Sequence, residues 1–307
     1  MHGRYTAAVE LRQLRHFVAV AEEKNFSVAA RRVCLSQPAL TRSIKNLEST
    51  LRTQLFERSA QGAVLTSAGE KFLDHARMIL SDCDRAADEI RSFREGIAGP
   101  VSMGMGALFG PWIGDEVVQR TGAALPGVDL TVVEGFFEDL LGMVRGGRID
   151  FALINFPHTA RADDVVMEPL LELQARTIAA ASHPLARARK VATAELAKAD
   201  WVVGNQAHSI DSLRQFFSAH ELPPPRAVRT NSLALISSLV LHRGYLTMIS
   251  DSVMHREMAR GLVKALNIDV PVIRRQAGLL YLKGRSHSRA ADRVMQIVRE
   301  VSRNRPA

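Results

Sequence analysis

Phe26-Ser27-Val28-Ala29-Ala30-Arg31-Arg32-Val33-Cys34-Leu35-Ser36-Gln37-Pro38-Ala39-Leu40-Thr41-Arg42-Ser43-Ile44-Lys45 reads as two short helices joined by a tight turn. Ser27 and Ser36 stand where N-caps are expected, because a hydroxyl oxygen can accept a free amide hydrogen of the first turn. Pro38 falls in the first turn of the second helix, where its missing N–H breaks no helical hydrogen bond. With Leu40, Ile44 and Leu47 on the inward face, that helix turns Gln37, Thr41, Arg42 and Lys45 outward. These four can donate to phosphates or read base edges in a DNA groove. A polar solvated face in any three-helix unit has the same periodicity, and spacing alone weighs the two equally.

Upstream, Leu14, Phe17, Val18 and Ala21 recur at helical spacing; Ala29, Ala30 and Val33, then Leu40, Ile44, Leu47 and Leu51, complete a unit of three helices. Downstream, Phe72, Ala76, Ile79, Cys83, Ala86, Ile90, Phe93 and Ile97 are spaced 4-3-4-3-4-3-4 on a segment without proline. That is the seam of a heptad repeat, which predicts a long helix pairing with a second copy of itself. Cys83 on this seam is expected to pack as a small apolar residue. Gly96-Ile97-Ala98-Gly99-Pro100 ends the helical pattern and marks a domain boundary. Beyond it, Val128 to Val133, Phe151 to Ile154, Trp201 to Val203 and Tyr245 to Ile249 alternate with helix-period segments, the pattern of a parallel α/β architecture.

Length and composition bound the function. The 307 residues, 47% hydrophobic and 23% charged, suit about two globular domains. The longest apolar run, Leu233 to Leu241, is broken by Ser237 and Ser238 and falls short of the roughly 18 residues of a membrane helix, so no membrane partner is expected. Met1-His2-Gly3-Arg4 opens no apolar export segment, which predicts a cytoplasmic protein. Cys34 and Cys83 are too few for a disulfide framework and form no Cys-x-x-Cys pair. Net charge is +8; residues 11–66 hold nine Lys/Arg against four Asp/Glu, and residues 274–307 nine against two. A nucleic-acid surface fits either end by charge alone.

Catalytic signatures are missing. There is no Gly-x-Ser-x-Gly elbow, Walker loop or His-Glu-x-x-His, and Gly104-Met105-Gly106 followed by Gly110 misses dinucleotide spacing by one residue. The ten histidines are scattered singly. No enzyme, metal site or cofactor is expected. A solute-binding protein built on the α/β half alone conflicts with the missing export segment and the helix-turn-helix.

Ser36-Gln37-Pro38-Ala39-Leu40-Thr41, followed by Leu55-Phe56-Glu57-Arg58 and Leu65-Thr66-Ser67-Ala68-Gly69, resembles the LysR-type transcriptional regulators. Gly147-Arg148-Ile149-Asp150-Phe151-Ala152-Leu153-Ile154, His183-Pro184-Leu185 and Gly244-Tyr245-Leu246 extend the resemblance over nearly the whole chain. It implies a multidomain α plus α/β fold. A winged helix-turn-helix over 11–66 and a dimerising linker helix over 67–98 would precede a periplasmic-binding-protein-like effector domain over 99–307. That domain would comprise subdomain I, about 99–170 and 276–303, and subdomain II, about 171–275. The implied function is a sequence-specific, effector-modulated regulator of promoter DNA, forming a homodimer or a tetramer of two dimers and engaging RNA polymerase if it activates. The alternative is an effector-independent regulator of the same fold.

Carried over by position, the resemblance puts DNA contacts on Gln37, Pro38, Thr41 and Arg42, with Arg58 on the backbone beside a wing formed by residues 59–64. Gly62 suits the turn of that wing. Arg52 stands where many family members have Gly, so either an L-residue takes a left-handed cap or the helix ends otherwise. The effector would lie between the subdomains, near Ala107 and Leu108, Phe136, Asn155 and Phe156, Asn205 and Gln206, and Met248 and Ser250. Ala107 replaces a frequent Ser or Thr and removes a hydroxyl donor, although the N–H groups of residues 107–109 could offer an anion site at a helix N-terminus. With no arginine clamp among these residues, a weakly charged organic acid or neutral metabolite is the expected effector; Arg229 and His208 lie near in the mapped loops. The basic tail from Arg274 to Arg305 is expected to return to subdomain I as an amphipathic helix with a solvated basic face.

Overall fold

The structure, a computed structural model, describes residues 9–59, 62–95, 97–157, 162–268 and 273–304, apart from the side chains at 58–59, 88–89, 91–95, 207–208, 251–252 and 273. The first unit comprises α1 (Leu11–Glu23), α2 (Phe26–Arg32), α3 (Gln37–Leu51), β1 (Phe56–Ser59) and β2 (Gly62–Leu65). Ser36 caps α3, its hydroxyl accepting from the Ala39 N–H at 3.4 Å, and Pro38 sits in the first turn. Ser27 does not cap α2. Asn25 does, its side-chain oxygen accepting from the N–H groups of Ser27 and Val28, because the helix begins at Phe26, two residues earlier than a Ser27 cap implies.

Three junctions of this unit turn through left-handed residues that are not glycine: Lys24 after α1, Cys34 between α2 and α3, and Arg52 after α3. Arg52 thus takes the left-handed cap that a glycine takes more cheaply. Burial holds the turns in place. Leu14, Phe17, Val20, Leu40 and Leu47 are nearly inaccessible, and Phe17 meets Phe56 and Phe72 at ring-centroid distances of 5.2 and 5.1 Å.

The long helix α4 (Ser67–Glu95) follows, and its apolar stripe divides between two tasks. Phe72 and Ala76, expected at a dimer seam, pack into the core of the winged helix; Ala76 is 0% exposed and has no surface left for a second chain. Leu73 and Leu80 join them there. Farther along, Ile79 and Ile90 are 43% and 66% exposed, Ala86 is exposed and Cys83 half-buried. The Phe93 side chain lies outside the described residues.

Next come β3 (Ala98–Gly106), a single π turn (Gly110–Gly114), α5 (Asp115–Ala124), β4 (Gly127–Gly135), α6 (Phe137–Arg145), β5 (Phe151–Asn155) and β6 (Val165–Ala180). The chain continues through α7 (Thr193–Ala197), β7 (Trp201–Gly204), α8 (Ala207–Ser218), β8 (Ala227–Thr230), α9 (Leu233–Arg243), β9 (Thr247–Ser250), α10 (His255–Ala259) and β10 (Val263–Ala265). It closes with β11 (Ile273–Leu282) and α11 (Arg289–Arg303). Among the described residues one sheet runs β10-β6-β11-β5-β3-β4, with β9 also on β6. It is mixed, not parallel as its alternation suggested. β3 runs parallel to β4 and β5, whereas β6, β9, β10 and β11 pair antiparallel.

The reason is topological: β6 carries the chain into the second subdomain and β11 brings it back alongside. Leu171 and Leu173 of β6 belong to the core of the first subdomain, with Val101, Phe151, Leu279 and Val298, and not to the second as the sequence boundary implied. Ile178 and Ala179 belong to cores of the second. Between Ala277 and Gly278 the register shifts by an extra residue on β6, and a Cβ at Gly278 would lie 1.9 Å from the Glu168 carbonyl oxygen. Glycine is therefore required at this bulge. Helix α11 buries Ala291, Val294, Val298 and Val301, and Arg299 holds Glu168 through two 2.8 Å hydrogen bonds. Part of the tail's positive charge is thus spent inside the fold.

Since Arg52 occupies a left-handed conformation at φ +53°, Arg52→Gly is expected to stabilise the winged helix by about 1 kcal/mol, read as a raised midpoint of denaturant unfolding.

Candidate functional site: a DNA interface and a ligand cleft

On α3, Gln37, Pro38, Arg42 and Lys45 are exposed and Thr41 is half-buried, while Leu40, Ile44 and Leu47 point inward. The helix is fixed from several sides. His16 of α1 is 7% exposed, and its Nδ1 lies 2.7 Å from the Ser43 hydroxyl. Burial, aided by the positive charge of Arg12, pushes the imidazole pKa down, so the ring is held neutral against α3. The Ser27 hydroxyl donates to Gln37 Oε1 at 2.9 Å, tying α2 to the first residue of α3. At the other end, Glu48 Oε1 accepts from the N–H groups of Leu55 and Phe56 at 2.8 and 3.2 Å and directs the chain into the wing.

The wing pairs Ser59 with Gly62 and Arg58 with Ala63. The Ala63 N–H donates to the Lys24 carbonyl at 2.9 Å, and a Cβ at Gly62, with φ +123°, would lie 2.4 Å from that oxygen. Gly62 is therefore needed both for its conformation and for this close approach. The expected Arg58 contact lies outside the described side chains. Arg32 is held by Glu22 and Glu23 at 2.8 and 3.0 Å. Among the described residues no carboxylate pairs with Arg42 or Lys45, so the outer face of α3 presents two available cations.

The second site is a cleft between the subdomains, holding about 1040 Å³ of empty space with its open mouth included. Ala107, Leu108, Phe136, Asn155, Gln206, Met248 and Ser250 line it, seven of the positions expected from the sequence. Two others do not. Phe156 is 8% exposed and packs with Phe137, Ile154 and Leu280 because its side chain alternates away from that of Asn155 into the core beneath. Asn205 sits exposed at the rim, where its Oδ1 accepts from Gln206 Nε2 at 3.3 Å. The Phe109 N–H is taken by the Gly106 carbonyl at 2.9 Å, which removes one of the three amides of the expected anion site; the turn Gly110–Gly114 runs directly into α5.

The structure adds Ser209, Ser212, Thr230, Asn231 and Arg275. Arg275 corrects the expectation of a lining without arginine. Its signal was period-2 alternation: Arg275, Ala277 and Leu279 share one face of β11, and the latter two are fully buried. Burial lowers the Arg275 pKa, and its Nη2 donates to Ser212 Oγ at 2.7 Å. Arg229, considered for this role, is exposed and does not line the cleft, and the His208 side chain lies outside the described residues. Among the described residues the lining contains no histidine and no carboxylate.

The family model described as the LysR substrate binding domain matches residues 94–303, and that described as the bacterial regulatory helix-turn-helix protein, lysR family, matches residues 11–70. The chain is similar to the HTH-type transcriptional regulator CfxR of Cupriavidus necator, at 28% identity over 86% of this chain and 83% of that one. It is also similar to a probable hydrogen peroxide-inducible genes activator of Mycobacterium avium, at 31% identity over 87% and 86%. Among solved structures, a full-length OxyR variant from Pseudomonas aeruginosa matches with a TM-score of 0.71 at 23% identity, covering 97% of this chain and 95% of that one. At that identity the match supports the fold.

The His16 environment has a pH signature. Its folded-state pKa lies below the ordinary 6.5, so the unfolded chain takes up the proton first and stability falls as pH drops through about 6.5 toward the folded value. Denaturant midpoints across this window should show a shallower loss in His16→Gln than in the parent.

Proposed function

Because the chain belongs to the LysR family of DNA-binding transcriptional regulators, we propose that it binds double-stranded promoter DNA as a homodimer or a tetramer of two dimers, and that a small organic effector in the cleft alters those contacts. The observation that carries this reading is the outer face of α3: Gln37, Pro38, Arg42 and Lys45 exposed on a helix locked by His16, Ser36 and Glu48. Gln37 suits an adenine edge, Arg42 a guanine or a phosphate, and Lys45 a phosphate; Pro38 and Thr41 suit a thymine methyl or a phosphate oxygen. Arg58 would grip the backbone beside the wing.

The apolar stretch of α4, with Ile79, Ala86 and Ile90 exposed and Cys83 half-buried, supports pairing of two chains, which would present two recognition helices to successive half-sites. Among the described residues no helix is long and apolar enough to cross a membrane. A promoter-binding chain works in the cytoplasm, and one that activates would also meet RNA polymerase. Cys34 and Cys83 both precede residue 99, so the effector domain has no thiol and senses by binding rather than by thiol oxidation.

The test is footprinting of the purified protein on DNA upstream of its own gene and its divergent neighbour, at several salt concentrations, with and without metabolites of the neighbouring pathway. Specific protection that shifts with one metabolite is expected; salt-labile binding without a preferred site would overturn the reading. Arg42→Ala should weaken specific binding by about 1–3 kcal/mol and relax base preference, with unchanged footprint and affinity counting against the assignment of α3. Ile79→Asp should yield monomers in sedimentation, whereas a surviving dimer would move the interface elsewhere.

A further inference from the structure

We propose that the cleft is selective for organic acids carrying a single negative charge, and that Arg275 is the residue that recognises their carboxylate. This rests on the reading of the cleft as the effector site. Arg275 stands on β11 opposite Leu173 of β6, where the two strands pass from one subdomain to the other. Its neighbour Arg274 points to the outer face and pairs with Glu172 at 2.9 Å. Arg275 points into the cleft, and among the described side chains no carboxylate lies within ion-pair distance of it.

A guanidinium offers five N–H donors in a planar fork. One is directed to Ser212 Oγ at 2.7 Å, which anchors the group from α8. Holding a partly desolvated cation without a counter-ion is costly for a fold, whereas a carboxylate arriving in the fork forms two charge-assisted hydrogen bonds and neutralises it. Burial already depresses the Arg275 pKa, the mark of a cation short of compensation. No second cation lines the cleft among the described residues, so a second carboxylate would enter uncompensated. Leu108, Leu173, Ile154, Leu233 and Ile236 supply apolar walls for the body of the ligand. A monocarboxylate with an apolar body is complementary to this arrangement.

The test uses the full chain and matched probes: benzoate, phenylacetate and hexanoate, the corresponding amides, and succinate as a dianion, each followed by calorimetry and thermal unfolding. At least one monocarboxylate should bind and stabilise the protein, with its amide weaker by about tenfold or more. Arg275→Gln should abolish the preference for acid over amide, and the ligand-free variant should unfold at an equal or higher temperature, because an uncompensated cation has been removed. Ala107→Trp, which fills the cleft, should block every probe. An amide that binds as well as its acid, or a preference that survives in Arg275→Gln, overturns the proposal while leaving the cleft as an effector site. A marked loss of stability in ligand-free Arg275→Gln overturns it as well, because the arginine is then structural. Binding that persists undiminished in Ala107→Trp, or no binding by any probe, overturns the cleft reading together with the proposal.

Discussion

The pairing of β6 with β11 is the constraint on which the rest of the ligand-binding half depends. Ten residues of β11, Ile273 to Leu282, run antiparallel to β6 from Ala175 to Val165, and these two strands carry the chain between the subdomains. The first subdomain builds a core on this pair, while cores of the second take Ile178 and Ala179 from the stretch of β6 beyond it, where β6 pairs with β9 and β10. The cleft opens where the pair crosses between them, and Leu173 and Arg275, partners in the register, both reach its lining. The bulge at Ala277/Gly278 fits the extra residue of β6 into the pairing at the cost of requiring glycine.

Helix α4 joins this half to the winged helix by contacts near its start and at its middle. Near its start, Phe72 stacks edge-on against Phe17, and Arg77 holds Glu22 of α1 at 3.0 Å. Burial alone would raise the Glu22 pKa, but hydrogen bonds from Arg77 and Arg32 outweigh it and keep the carboxylate ionised. Farther along, Asp82 and Ser81 hold Arg285, whose side chain is 7% exposed, and Arg85 donates to the Ser286 carbonyl. Arg285 follows β11, so the strand that carries Arg275 into the cleft leads within ten residues to the contact with α4. The cleft, β11, α4, α1 and α3 form one connected series of packed elements.

Much of the candidate DNA interface, as local structure, was legible because local rules govern it. Helical spacing identified α3 and its buried face, Ser36 its cap and Pro38 its first turn, all of which depend on neighbours within one or two turns. The error at Ser27 was local too, since Asn25, a residue that caps as well as serine, lies two residues earlier and takes the role. The ligand cleft was less legible. Positions after strand ends gave seven lining residues, yet Arg275 was hidden in a basic tail because charge counts ignore which face of a strand a residue takes.

The order of elements, the three helices, the long linker helix and the alternating α/β half follow from the amino-acid sequence itself, because period and capping are properties of short stretches. The partition of the α4 stripe between the winged-helix core and an exposed seam was a tertiary decision: Ala76 and Ile79 have the same heptad signature, and only docking against α1 buries the first and leaves the second open. So was the mixed sheet, since strand direction depends on where the chain goes between strands and not on the strands' own residues. Arg274 and Arg275 are adjacent and chemically identical, but side chains alternate across a strand. The pairing of β11 with β6 therefore gave one to Glu172 and the other to the cleft.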